Sequence, residues 1–200
     1  MSSPSSLSDT VDPIALAQQW MADAAASESG EPTAVALATA TPAGRPSVRM
    51  VLIRGVDENG FVFYTNLRSR KGDELEANPF AALCFHWKSL DRQLRIEGPV
   101  RLIDEATADA YFASRERGSQ IGAWASRQSQ PISAHGELEQ RVNDFNAQYE
   151  GRDVPRPPFW SGYVLQPETI EFWQIGESRL HDRSLYQRSG AQWNVNKLHP

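Results

Sequence analysis

One cysteine in 200 residues, Cys84, leaves nothing for an internal disulfide framework and fits a reducing, cytoplasmic setting. It stands in the strand-like stretch FAALCFHW, where a buried, inert thiol is expected rather than a nucleophile. Long apolar runs are missing too. None approaches the ~20 residues a membrane helix needs, so no membrane partner is expected. The opening MSSPSSLSDT lacks the basic and apolar regions of a signal peptide. Positive charge is in deficit, with 20 Lys and Arg against 25 Asp and Glu and a formal net charge of −5. That balance argues against a nucleic-acid partner. There is no Gly-rich loop of Walker or Rossmann spacing, no paired-cysteine or HExxH motif, and no G-x-S-x-G elbow. His86, His135, His181 and His199 are scattered along the chain, so no metal site is expected.

What is present is the composition of a globular domain, 40% hydrophobic and 10% aromatic. Residues 1–11 read as a flexible tail and 12–200 as a single domain. VDPIALAQQWMADAAAS is a helix, with Asp12 as N-cap and Pro13 at the first helical position. TAVALATAT, SVRMVLIRGV, FVFYTNL, FAALCFHW and RQLRIEGPVRLI are strands separated by turn-rich stretches. The short helical SRKGDELEAN interrupts them. EATADAYFASR, SQIGAWAS and SAHGELEQRVNDFNAQYEG are helical, the last ending at Gly151. SGYVLQP, TIEFWQI, RSLYQRS and AQWNVNKL close the chain as strands. Many short strands with few helices predict a mainly β fold, an antiparallel barrel with peripheral helices.

The chemistry lies in arginine clusters, a basic inlay in an acidic chain that suggests a local anionic ligand. Arg49 and Arg54 are five apart, which on a regular strand puts them on opposite faces. Arg68, Arg70 and Lys71 crowd a helix start, where cations oppose the helix dipole unless an anion is shared. Tyr111, Arg115 and Ser119, spaced by four, align on one face if their helix continues, making a phosphate grip of a guanidinium and two hydroxyls. In SRLHDRSLY, an extended chain would put Arg179, His181 and Arg183 in one row. His181 and Asp182 would then point apart, a poor catalytic dyad.

RMVLIRG, FVFYTN, SRKG, RGSQIGAWASRQSQPI, IEFWQ and RLHDR occur in that order. Together they resemble the pyridoxamine 5′-phosphate oxidase family over residues 12–200. The resemblance implies an FMN-binding split β-barrel and a homodimer with the cofactor at the subunit interface. It implies that Arg49, Met50, Val51, Leu52, Ile53 and Arg54 line the flavin, with Tyr64 and Thr65 along it. Arg70 and Lys71 would reach its phosphate, and Gln128 and Ser129 would come from a partner subunit. Gln93, Trp173 and Arg183 would lie near the isoalloxazine. Tyr111, Arg115 and Ser119 would hold the substrate phosphate, with Arg54 also substrate-facing, and Arg179, Leu180 and His181 would lie over the substrate ring, Arg179 and His181 as catalytic residues.

The reaction so implied is oxidation of pyridoxamine 5′-phosphate and pyridoxine 5′-phosphate to pyridoxal 5′-phosphate. Hydride leaves the substrate C4′ for flavin N5, and O2 is reduced to H2O2; the amine substrate also yields NH3. Some features depart from the family: Arg54 stands where many members have lysine, and no Arg-Glu-Tyr arm precedes the first helix. KLHP replaces the usual ending, leaving Lys197 and His199 without a role. Two other readings compete: an oxidase of this fold acting on a phenazine-type substrate, and a non-enzymatic flavin or haem binder.

Overall fold

Residues 12–200 are described by the computed structural model; the expected tail over residues 1–11 lies outside them. Helix α1 (Pro13–Ser27) begins where Asp12 accepts a hydrogen bond from Ile14 N at 3.1 Å. It buries Ile14, Ala17, Trp20 and Ala24, the i, i+3, i+4 stripe of a core-facing helix. Trp20 meets Phe172 edge-on at 5.0 Å, tying the helix to the sheet.

Nine strands follow the sequence-based expectation: β1 (Ala34–Ala40), β2 (Pro46–Asp57), β3 (Gly60–Asn66), β4 (Phe80–Trp87), β5 (Arg92–Leu102), β6 (Trp160–Leu165), β7 (Thr169–Gln174), β8 (Asp182–Ser189) and β9 (Gln192–Lys197). All pairings are antiparallel, in the order β4-β1-β2-β3-β6-β5-β7-β8-β9. An added β4–β5 pairing closes the first six into a barrel. The barrel splits at β5. Its end Val100–Leu102 pairs with β6, while Arg92–Glu97 pairs with β7. Gly98 marks the parting, because a Cβ there would lie 2.0 Å from the carbonyl oxygen of Gln166 as the chain crosses from β6 to β7. The core fills the barrel with alternating inward residues such as Val35, Leu37, Phe61, Phe63, Leu83, Phe85, Leu94 and Ile96. Cys84 is half-buried and burial raises its thiol pKa, as an inert thiol requires.

Helix α2 (Arg70–Ala77) sits between β3 and β4, and α3 (Glu105–Ser114), α4 (Arg117–Ala125) and α5 (Glu137–Gln148) lie between β5 and β6. A second, smaller core of Phe112, Ile121, Tyr149, Val154 and Trp160 forms beneath those three helices. Helix α5 stops ahead of Gly151, whose φ of 68° closes the following turn. Among the described residues, no helix is long and apolar enough to cross a membrane, and no group of His, Cys, Asp and Glu is placed to hold a metal ion.

Candidate active site

Strands β2 and β3, the start of α2, the α3–α4 junction and the segment after α4 enclose an open cleft of about 1070 Å3. At its base lies a buried carboxylate. Glu74, 5% exposed, accepts hydrogen bonds from Ser47 Oγ at 2.5 Å and from the Thr39 hydroxyl. Its other oxygen takes Arg70 Nε at 2.9 Å, while Arg49 Nη2 approaches the first at 3.3 Å. Arg49 also donates to Thr39 Oγ1 at 2.6 Å and to the Leu37 carbonyl at 3.1 Å. Burial alone would raise the Glu74 pKa, but these donors outweigh it and hold the carboxyl down at about 2. The carboxylate therefore fixes both arginines at the rim of the cleft.

Lys71 stands beside them, 8% exposed. Its ammonium donates to Ser69 Oγ at 3.1 Å and to Gln128 Oε1 at 2.8 Å, and no carboxylate among the described residues pairs with it. Burial, then the neighbouring Arg49, pulls its pKa down to about 8. Ser69 caps α2 by accepting from Gly72 N. The site thus carries Arg49, Arg70 and Lys71 against the single charge of Glu74, beside free N–H groups of a helix start. Arg68, by contrast, turns its guanidinium onto the Phe159 ring at 5.0 Å and does not line this cleft.

A second basic region faces the first across the cleft. Arg115 is half-buried, with its Cζ 4.9 Å from the Trp160 ring centroid and 5.7 Å from Phe112. Its Nη1 is buried and has no hydrogen-bond partner. Burial, most of all, lowers its pKa, and Arg54 nearby adds to the effect. Tyr111 and Ser119 line the same cleft. They do so without the continuous helix expected from their spacing. Helix α3 ends at Ser114, Arg115 is extended with ψ of 150°, and α4 starts anew at Arg117. Gln120 takes up the carbonyls of Phe112 and Ala113 near the end of α3, satisfying acceptors that the break leaves free. Tyr64 stacks on Tyr111 at 3.8 Å and on Trp160 at 5.2 Å, joining the two regions.

Arg49 and Arg54 both line the cleft, together with residues from both faces of β2 between them, and a β-bulge between Ile53 and Gly55 shifts the register of the strand at Arg54. Met50, Val51 and Leu52 line it as well, as do Thr65 and Ser129. Ile53 does not; it is 2% exposed in the barrel core. Gln128, expected from a partner subunit, reaches Lys71 within its own chain. The turn after α4 folds back over the Asn66–Lys71 segment and brings it there, with Ser126 O close to Asn66 Nδ2.

The remaining expected residues form a second group outside this cleft. Gln93, Trp173 and Arg183 are register neighbours on β5, β7 and β8, a row across three strands. Arg183 is held by Glu171 at 2.8 Å, which raises its pKa, and donates to the His199 carbonyl at 2.9 Å. Lys197 pairs with Asp182. His181 packs on Trp173 with ring centroids 4.7 Å apart, and its Nδ1 accepts from Gly176 N at 3.3 Å. The alternating row through Arg179 does not form. Ser178 and Arg179 have φ of 55° and 66°, so a tight turn precedes the strand, which starts only at Asp182. Gly176 permits that turn, since a Cβ there would lie 1.9 Å from the Leu180 carbonyl oxygen. Leu180 is 72% exposed at its tip.

Three residues that sequence reasoning passed over belong to this machinery: Glu74, Glu171 and Trp160. Only Glu74 left a local signal, the i, i+4 pairing with Arg70, and that pattern is commonplace on exposed helices.

A family model described as pyridoxamine 5′-phosphate oxidase matches residues 21–149. A second, the pyridoxine 5′-phosphate oxidase C-terminal dimerisation region, matches residues 160–200. A pyridoxine/pyridoxamine 5′-phosphate oxidase of Rhodospirillum rubrum is 57% identical over 201 residues, covering 98% of this chain and 100% of its own. One from Sphingopyxis alaskensis is 58% identical over 189 residues, covering 94% of this chain and 88% of its own. Among solved structures, PhzG from Burkholderia lata, in complex with tetrahydrophenazine-1-carboxylic acid, superposes with a TM-score of 0.89 at 34% identity, covering 94% of this chain and 93% of its own. An FMN-binding, pyridoxamine 5′-phosphate oxidase-related protein from Nostoc punctiforme reaches 0.76 at 21% identity over 96% of this chain and 100% of its own, a likeness of fold.

Proposed function

Since the chain belongs to the pyridoxamine 5′-phosphate oxidase family, we propose that it is an FMN-dependent oxidase that converts pyridoxamine 5′-phosphate and pyridoxine 5′-phosphate to pyridoxal 5′-phosphate. The observation that carries this reading is one cleft with two basic regions, each short of counter-charge. Arg49, Arg70 and Lys71 share one carboxylate, and Arg115 has a buried, unpartnered Nη1. Two phosphate monoesters, one on a cofactor and one on a substrate, supply what each region lacks.

FMN fits the first region. Arg49, Arg70 and Lys71 would hold its phosphate, with Thr65, Gln128 and Ser129 beside them. When bound, the flavin supplies the two-electron chemistry, taking hydride from the substrate C4′ and reducing O2 to H2O2. The chain's own groups do the rest. Arg115, Tyr111 and Ser119 bind the substrate phosphate through a guanidinium and two hydroxyls, and exposed Arg54 adds a charge at the mouth. This fixes the substrate's position over the cofactor, a proximity effect.

Arg179, His181 and Arg183 reach such a cleft from a second copy of the chain. The dimerisation-region match over residues 160–200 supports that arrangement, as do Val48 and Met50, 68% and 63% exposed on the strand that lines the cleft. His181 has Nδ1 engaged by Gly176 N, which leaves Nε2 for the substrate ring. Glu171 keeps Arg183 cationic beside the flavin.

The purified protein is expected to be yellow and to release peroxide with pyridoxamine 5′-phosphate but not with unphosphorylated pyridoxamine. Equal rates on both would remove the phosphate grip. Peroxide only with a dihydro- or tetrahydrophenazine acid would move the chain to a phenazine-type oxidase. A yellow protein that releases no peroxide, or one coloured by haem, would favour a carrier.

The two-chain site makes a second prediction. Arg115→Ala and Arg179→Ala chains should each be impaired alone. After mixing and subunit exchange, statistical pairing in a symmetric dimer restores about a quarter of the sites, because one site of each mixed dimer is intact. No recovery on mixing would mean that Arg115 and Arg179 serve the same chain's site.

A further inference from the structure

The Arg115 guanidinium has neither carboxylate nor hydrogen-bond partner at Nη1, yet it is held in the cleft wall rather than released to solvent. What holds it is aromatic. Its Cζ lies 4.9 Å from the centroid of the Trp160 ring, and Phe112 is the next nearest at 5.7 Å. The indole is itself fixed from several sides. Trp160 is 6% exposed, opens β6, stacks on Tyr64 at an interplanar angle of 11°, and meets Phe112 edge-on at 5.1 Å.

Its backbone is fixed as well. Arg156 Nη1 donates to the Trp160 carbonyl at 2.8 Å, and the same guanidinium pairs with Asp109 at 2.5 Å and Glu105 at 3.0 Å. Both acids lie on α3, the helix that carries Tyr111 and ends just before Arg115. Arg156 therefore locks the strand bearing the indole to the helix bearing the grip.

We propose that Trp160 is a positioning residue for substrate phosphate: its ring face, locked to α3 through Arg156, keeps the Arg115 guanidinium desolvated and aimed into the cleft. The aromatic face compensates the buried cation without occupying any of its N–H groups, as a carboxylate would. All the donors on the cleft side stay available for a phosphate monoester. An acidic partner would instead have to be displaced, or would repel the incoming dianion.

This inference rests on the reading of Arg115 as the substrate-phosphate residue, and the test separates the two. Steady-state kinetics with pyridoxamine 5′-phosphate would be measured on the FMN-loaded enzyme for Trp160→Phe, Trp160→Met, Arg115→Ala and the Trp160→Met/Arg115→Ala double variant. Trp160→Met keeps apolar bulk and loses the π face, so KM should rise about 10-fold, the scale of a partly desolvated cation–π contact. Its kcat and bound FMN should stay near wild type. Trp160→Phe retains a ring face and should recover most of the loss. In the Arg115→Ala background, Trp160→Met should add little to KM, because the group it positions is gone.

A fold-neutral arm replaces the indole at position 160 with a fluorinated indole, which weakens the ring's negative face at almost unchanged size. KM should climb with the degree of fluorination, and this arm decides the matter if Trp160→Met loses its fold. If Arg115→Ala leaves KM unchanged, the phosphate-grip reading fails. If Arg115→Ala raises KM while fluorination does not, or if Trp160→Met and Arg115→Ala add in full, the positioning role of Trp160 is overturned and the grip stands.

Discussion

Lys71→Met is expected to weaken FMN binding by about 10- to 100-fold, the loss of one or two charge-assisted hydrogen bonds to a phosphate. The same change should abolish a pH dependence of stability in the cofactor-free protein. Both effects come from one buried ammonium, 8% exposed, with Ser69 Oγ and Gln128 Oε1 as its acceptors. Its pKa stands at about 8 in the folded chain against 10.5 for an ordinary lysine, chiefly through burial. Below pH 8 both states keep the proton, and the folded state bears the whole burden of the buried charge, on the order of 3 kcal/mol. Between those two values the folded state has released its proton while the unfolded state still holds it. Stability contributed by this group therefore rises with pH across that window and levels off above it. A methionine has no proton to lose, so the rise disappears.

Denaturant unfolding of both proteins at the two ends of the window measures this, with and without inorganic phosphate. A bound dianion keeps the proton on Lys71. It should stabilise the wild type at the lower pH and flatten its slope, and do much less to the variant. Unchanged FMN affinity would place the cofactor phosphate elsewhere, and a slope that survives in Lys71→Met would assign that slope to another group.

The strands were legible because their signal is local. Stretches such as AVALATA and FVFYTN alternate or concentrate β-branched and aromatic residues, and each became a strand of the barrel within a residue or two. The helix starts were legible for the same reason. Asp12, Ser69 and Asp104 cap their helices with side chains that need no tertiary partner. Regular periodicity failed wherever a distant contact reset the backbone. The bulge at Ile53/Gly55 shifted the register of β2 beside Arg54. The helix broke between Ser114 and Arg117, where Gln120 takes up the carbonyls of Phe112 and Ala113. The left-handed pair Ser178–Arg179 turned an expected strand into a loop tip.

The site was legible as a set of charges, not as an arrangement. Arginine clusters advertise anions, and a family resemblance assigns them. Neither reveals that Glu74 and Glu171 set the arginines in place, because a buried carboxylate and a solvated one read alike in sequence. Nor does either show that Gln128 closes on Lys71 in the same chain, a contact between residues 57 apart. Trp160 illustrates the same limit. It stands just ahead of the expected strand SGYVLQP, and only the position of Arg115 over the ring gives the indole its duty.

Glu74 carries the other large effect: Glu74→Gln should lower Tm by about 10 °C at neutral pH. The folded carboxyl titrates at about 2 against an ordinary 4.5, because Ser47, Thr39 and Arg70 outweigh the opposing effect of burial. A depressed acid stabilises above its unfolded pKa and loses that contribution as pH falls between the two values. Here the contribution is on the order of 3 kcal/mol, and at roughly 2–4 °C per kcal/mol for a chain of this size it gives the stated shift. Glutamine keeps an oxygen acceptor for the two hydroxyls, but it drops the charge and turns an NH2 donor toward Arg70, which loses its acceptor. The variant should therefore lose this group's share of the wild type's sensitivity to acid between pH 4.5 and 2 along with its stability. It also leaves Arg49, Arg70 and Lys71 facing one another with no carboxylate, so that phosphate becomes their sole counter-charge. Added inorganic phosphate should then recover more Tm in Glu74→Gln than it adds to the wild type. A variant with wild-type Tm would show that Glu74 contributes nothing net to the fold. One with lowered Tm but a wild-type response to phosphate would show that it stabilises the helix without balancing the cations of the cofactor site.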